Sequence, residues 1–145
     1  MNTIRVKKID PKAVLPTYGS AEAAGADLYA CLSEPLVVQP GDVAWVSTGI
    51  ALEVPKGCAG LVYARSGLAC KRGLAPANKV GVVDSDYRGE VKVVLLNHSK
   101  EVQVIEHGER IAQFVITPVL TPAYEEVMEL DDTDRGVGGF GSTGK

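Results

Sequence analysis

An all-β sandwich or barrel is the fold class this sequence predicts, on three observations. Short runs rich in Val, Ile and Leu recur along most of the chain. Gly, Pro or polar turn residues close each run, and β-branched side chains suit a pleated, half-buried surface. Helical periodicity is missing: no window of about 11 or more residues keeps apolar positions at i, i+3, i+4 and i+7 without a Gly or Pro cutting it.

The elements follow in order. Residues 21–32 are rich in alanine and propensity alone favours helix, but Gly25 in the middle costs about 1 kcal/mol there. Val37 and Val38 lead into Gln39-Pro40-Gly41-Asp42, and residues 43–48 follow as a second strand. Proline has its φ fixed for the second turn position, and glycine supplies the positive φ after it. Residues 50–54 end at a second such turn, Pro55-Lys56-Gly57. Residues 61–63, 91–96, 102–105 and 111–117 complete the clear strands, and residues 66–71 can make one or two helical turns.

The chain has 145 residues, enough for one domain at about 100–200 residues each. Apolar residues make up 46% and charged residues 23%, the balance of an ordinary globular protein. Fifteen Lys and Arg against 18 Asp and Glu leave a net charge of −3, so no nucleic-acid partner is expected. Three cysteines at wide spacings (Cys31, Cys58, Cys70) form no disulfide framework, and a cytoplasmic location is the simplest reading. Residues 1–10 carry no apolar core of a secretory leader, and no run is long enough for a membrane helix.

Residues 1–130 read as one β domain and 131–145 as a flexible glycine-rich tail, with five glycines among the last ten residues. Such a stretch buries too little apolar surface to offset its ordering entropy. Gly139 to Lys145 matches the G-x-x-x-x-G-K part of a phosphate-binding loop, but the chain ends where that loop needs a hydroxyl residue and a helix. What remains is a segment whose N–H groups, Ser142, Thr143 and Arg135 can donate to an anion, with Phe140 free to lie on an aromatic ligand. A solvated tail is the plain alternative.

Residues 81–90 set Asp84, Asp86, Tyr87 and Arg88 between apolar runs. They form either a polar turn with an aspartate bonding its own backbone, or a carboxylate able to act as general base on water. Arg65 and Ser66 before a possible helical turn suit a phosphate, and Ser66 suits equally a helix cap. Asp27 beside Gly25 is usually just a turn. His98 and His107 lack zinc-ligand spacing and belong on the surface. Neither the signature of zinc deaminases nor a nucleophile elbow is present.

Taken together, five segments in this order resemble the motifs of the homotrimeric deoxyuridine triphosphate nucleotidohydrolases, the dUTPases: residues 24–28, 64–69, 81–90, 108–113 and 135–144. The resemblance implies a jelly-roll-like distorted β-barrel, a homotrimer with shared active sites, and Mg²⁺-assisted hydrolysis of dUTP to dUMP and pyrophosphate. That reaction lowers dUTP and supplies dUMP for dTMP synthesis. By matched position, Asp84 is the base for water attack at the α-phosphate, and Tyr87 lies against the deoxyribose. Asn78 contacts uracil, with Gly81 and Val83 in the same loop, while Arg65, Ser66, Gly67 and Gln113 hold phosphates. Asp27 acts on the metal through water. Arg135, Phe140, Gly141, Ser142 and Thr143 of another subunit's tail close the site. Pro76-Ala77 before Asn78 and Val137 in the last motif depart from the family pattern. The dCTP deaminases share the fold, but they need a glutamate on the strand after the third motif, where residues 91–96 carry none. A binding protein on the same fold is the third reading, and the presence of Asp84, Tyr87 and the whole tail opposes it.

Overall fold

Glycine, proline and polar turns divide the chain into twelve short strands and a single helix among residues 3–144, which the computed structural model describes. Met1, where the leader reading begins, and Lys145 of the glycine–lysine ending lie outside the described residues. The strands are β1 (Val6–Lys8), β2 (Thr17–Tyr18), β3 (Ala26–Tyr29), β4 (Leu36–Val38), β5 (Val43–Ser47) and β6 (Ile50–Leu52). After β7 (Cys58–Tyr63) comes α1 (Ser66–Arg72), then β8 (Leu74–Pro76), β9 (Gly81–Val83), β10 (Lys92–Asn97), β11 (Gln103–Ile105) and β12 (Arg110–Pro118).

All pairings are antiparallel. The largest sheet has the order β2-β3-β12-β7-β9, a second has β5-β10-β8, and β1-β6 and β11-β4 are two-stranded. The result is the jelly-roll-like distorted β fold expected, without closure of one sheet into a barrel. Leu28, Val46, Leu74, Val93, Leu95, Ile105, Ile111 and Phe114 form one core between the sheets.

Pro40 and Gly41 make the expected turn: Asp42 N donates to Gln39 O at 3.0 Å, and Gly41 has φ 82°. The flanking strands nevertheless part, since β4 pairs with β11 and β5 with β10. The turn therefore carries the chain from one sheet to another. Residues 21–32 are not helical but run into β3, whose Ala26, Asp27 and Leu28 are all buried. A strand buried on both faces loses the alternation by which strands are recognised.

Asn97 at the end of β10 is fully buried. Its amide donates to Val38 O at 2.9 Å and Glu101 O at 2.8 Å, while Oδ1 accepts from Ser99 N at 3.0 Å. Every polar atom thus has a partner, which a buried amide requires. The three cysteines are free. Burial pushes the Cys31 thiol upward and the nearby Asp10 adds to the rise, so it stays protonated in the core at neutral pH. No helix among the described residues is long and apolar enough to cross a membrane.

Gly60 on β7 leaves room for the ring of Phe114 on β12: a Cβ there would lie 2.1 Å from Phe114 Cζ. Gly60→Ala is expected to lower stability by about 1–3 kcal/mol, the usual cost of overpacking a core. A drop in the urea midpoint at constant m-value checks it.

Candidate active site

One register row gathers the first group of candidates. On β12, Gln113 pairs with Asp27 of β3 on one side and with Tyr63 of β7 on the other. Two residues past Tyr63 the chain reaches Arg65, and α1 begins at Ser66. The register of β12 against β3 shifts between Arg110 and Ala112. Such a bulge lets side chains of opposite parity face the same way, and here Arg110 and Gln113 both reach the Asp27 side. Two consecutive buried residues, Ile111 and Ala112, mark the irregularity.

Asp27 is the hub. Arg65 Nε donates to its Oδ1 at 2.7 Å, and Arg110 Nη1 to its Oδ2 at 3.4 Å. Only 12% of the Asp27 side chain is exposed, against 27% for Arg65 and 53% for Arg110. The carboxylate balances two guanidinium groups, leaving one positive charge and several N–H donors facing solvent. Gln113 Nε2 donates to Ala64 O at 2.9 Å, which keeps the amide flat against the wall. Gly25 makes that placement possible, since a Cβ there would lie 2.7 Å from Gln113 Oε1. With Ser66 and Gly67 these groups line an open cleft of about 230 Å³. Chemically it is an oxyanion cradle, with arginine forks and a hydroxyl around a rigid glycine-bordered floor.

Ser66 does not cap the helix. Arg65 occupies the cap position without a side-chain cap bond, and Ser66 is the first helical residue with its hydroxyl unclaimed by the helix.

The second group lines another cleft. β9 is an edge strand pairing Gly81 with Val62 of β7. Asn78 lies on the turn before it, where Lys79 takes φ 66°, and a Cβ on Gly81 would approach Asn78 Nδ2 to 3.4 Å. Asn78, Gly81, Val83, Tyr87 and the exposed Trp45 of β5 border a hollow of about 490 Å³. Tyr87 folds back over Gly89, where a Cβ would lie 2.4 Å from its Oη, and the hydroxyl donates to Glu90 O at 2.9 Å. Glu90 Oε1 in turn accepts from Gly49 N at 2.9 Å. Backbone closes the turn, with Tyr87 N donating to Asp84 O at 3.2 Å, so no aspartate side chain is needed to hold it. Asp84 itself stands exposed at the end of β9.

The two clefts share no lining residue. Neither includes the tail. The hydrogen bonds of Arg135, Gly138, Ser142 and Gly144 stay within the tail, and Phe140 is fully exposed at φ 50°. The segment before it, residues 119–130, has no regular structure and exposes Leu120, Tyr124 and Met128 by more than nine-tenths. His98 and His107 are on the surface, as expected, and His107 Nδ1 accepts from Leu32 N at 3.2 Å.

The sequence profile of the dUTPase family matches residues 11–144. This chain belongs to the dUTPase family. A deoxyuridine 5'-triphosphate nucleotidohydrolase of Syntrophotalea carbinolica is 51% identical over 142 residues, covering 98% of this chain and 97% of its own. One from Nautilia profundicola is 48% identical and covers 98% and 99%. Among solved structures, the dUTPase of Staphylococcus bacteriophage 80alpha with dUPNHPP superposes with a TM-score of 0.87 at 30% identity, over 100% of both chains. A mutant dUTPase from phage phi11 of S. aureus, whose structure reveals the coordination of a structural Mg(II) ion, gives 0.82 at 25% identity over 90% and 100%.

Within this dUTPase-family chain, Arg110 is the cradle residue that reading the motifs one by one overlooks. Its signal was a cation at the head of a strand, directly after the Gly108-Glu109 turn. Among the described residues no group of three or more His, Cys, Asp or Glu is placed to hold a metal ion. Asp27 has each oxygen turned to a guanidinium, a setting that opposes a cation bound directly to it. The donor set fits Mg²⁺ only as an ion carried by a ligand's phosphates.

Gly25→Ala is expected to push Gln113 off Ala64 and weaken tripolyphosphate binding by about tenfold, the scale of one lost hydrogen bond. Isothermal titration calorimetry with inorganic tripolyphosphate checks it.

Proposed function

We propose that this chain hydrolyses dUTP to dUMP and pyrophosphate. The observation that carries the reading is the cradle: a family member that gathers Asp27, Arg65, Ser66, Arg110 and Gln113 around one cleft has the groups a triphosphate needs. Phosphoryl displacement asks a protein chiefly for positioning and charge stabilisation. Water attacks the α-phosphorus, a new P–O bond forms, and the bond to the bridging oxygen breaks as pyrophosphate leaves. Asp84 orients that water and takes its proton. Mg²⁺, held by the phosphate oxygens, would neutralise charge on the leaving group, with Asp27 reaching it only through water.

Uracil is read in the hollow beside Asn78, Gly81 and Val83, and the Tyr87 ring excludes a ribose 2'-hydroxyl. The site is shared between copies in a homotrimer. Three features support this: the cradle and the nucleoside hollow have no residue in common, residues 119–130 expose large apolar groups, and Trp45 stands 70% exposed on β5. Residues 1–130 form the body, and 131–145 of one copy close over the site of another. Arg135, Ser142 and Thr143 then donate to phosphates, Gly141 lets the backbone approach closely, and Phe140 stacks on the base. Such a lid would keep bulk water from the reacting phosphate. A cytoplasmic location fits the three free thiols.

Pyrophosphate release with dUTP, dTTP, dCTP and UTP compared side by side tests the function: dUTP should be consumed first. Ammonia from dCTP would instead favour deamination, and turnover of none would favour a binding protein. Asp84→Asn should abolish turnover while leaving nucleotide affinity largely intact, read as kcat against Kd for a non-hydrolysable analogue. Deleting residues 136–145 should leave the body folded, with an unchanged thermal midpoint, yet cut kcat/KM severely.

A further inference from the structure

Arg72 lies outside every motif named above and does not line the cradle, yet it makes the longest-reaching polar contacts of the helix. Its Nε donates to Gln103 Oε1 at 3.0 Å and its Nη1 to Glu109 Oε2 at 2.9 Å, while Nη2 reaches Val104 O. These partners are 31 to 37 residues away in sequence, on β11 and on the turn that opens β12. Both charged side chains of the Arg72–Glu109 pair are about two-thirds shielded from solvent.

The helix needs such an anchor. At seven residues, α1 is too short to be stable through its own hydrogen bonds. Its first turn has no side-chain cap, so the direction in which Ser66 and Gly67 face rests on tertiary contacts, the Arg65–Asp27 pair at one end and Arg72 at the other. Two devices hold its far end: Gly73 closes the last turn at φ 65°, and Arg72 ties that turn to Glu109. Leu68 adds the one buried contact in between.

Glu109 is itself held in place, because its carbonyl accepts from Ala30 N at 2.8 Å, and its successor Arg110 reaches Asp27. The contacts thus close a ring. From Asp27 the path runs through Arg65 into α1, out through Arg72 to Glu109, and back through Arg110 to Asp27. The cradle lies on this ring, with Ser66 on one side and Arg110 on the other.

We propose that Arg72 is a positioning residue of the cradle: it fixes α1 against the Glu109–Arg110 turn and so sets the spacing between Ser66 and Arg110. A planar fork with several donors is suited to this, whereas lysine supplies one point of attachment and should serve only in part. The inference rests on the phosphate reading of the cradle, and the ligand held at the right spacing is a chain of phosphates.

The test measures KM and kcat for dUTP, and inhibition by inorganic tripolyphosphate and by deoxyuridine, in the full-length protein and in Arg72→Ala, Arg72→Lys, Glu109→Ala and the double alanine variant. For Arg72→Ala, KM and the tripolyphosphate inhibition constant should rise together by about tenfold, with kcat within about twofold, as when one positioned hydrogen-bonded contact is lost. Inhibition by deoxyuridine should not change, and Arg72→Lys should fall between. The double variant should be no worse than Arg72→Ala, since residues acting through one contact are not additive. Should Arg72→Ala fail to fold, Arg72→Lys and Glu109→Ala carry the same comparison. Equal KM and tripolyphosphate inhibition in all folded variants, or equal weakening of deoxyuridine, would overturn the positioning role. An unmodified protein that neither consumes dUTP nor binds tripolyphosphate would instead overturn the reading of the cradle.

Discussion

A carboxylate almost out of reach of water, between two guanidinium groups, is the constraint on which the site depends. Asp27 sits in a strand buried on both faces, where an unpaired charge would be costly to keep. Arg65 at 2.7 Å is the closer and better shielded partner, while Arg110 at 3.4 Å is half exposed and weaker. Removing the acid would leave two cations facing each other across the cleft, and breaking a buried pair typically costs about 3–5 kcal/mol before solvent exposure reduces it. The ion pairs therefore act less as a source of stability than as a device that holds two arginines at a fixed separation.

The β fold serves that device. Three strands from distant parts of the sequence meet at Asp27, Gln113 and Tyr63, and the bulge in β12 turns Arg110 toward the same acid. Glycine contributes by omission at two places, Gly25 under Gln113 and Gly89 under Tyr87. At each, a methyl group would occupy the space of a side chain that forms a cleft wall.

Strand runs such as residues 91–96 and 111–117 were legible because their residue types and bounding turns agree. β3 was not, since Gly25 and the alanines around it carry no alternation, and its burial on two faces comes from partners far along the chain. The turn at Pro40-Gly41 was legible locally, but the parting of the strands beyond it depends on β10 and β11. In the site, Arg65, Ser66 and Gln113 could be named from the motifs, and the structure brings them to one cleft. Arg110 showed only as a cation at the head of a strand and Arg72 not at all, because their roles lie in contacts with Asp27 and Glu109 that spacing does not reveal. The exposed place of Asp84 was equally hidden, since a short polar loop reads the same whether it faces solvent or a neighbouring chain.

The separation of the two clefts has a consequence for mixed populations of chains. If each working centre takes its cradle from one copy and its nucleoside wall from another, a chain with a ruined cradle still lends a sound wall to its neighbour. Lesions of the two kinds would then compensate one another when both chains are made in one cell, and two inherited defects could together leave a functioning protein.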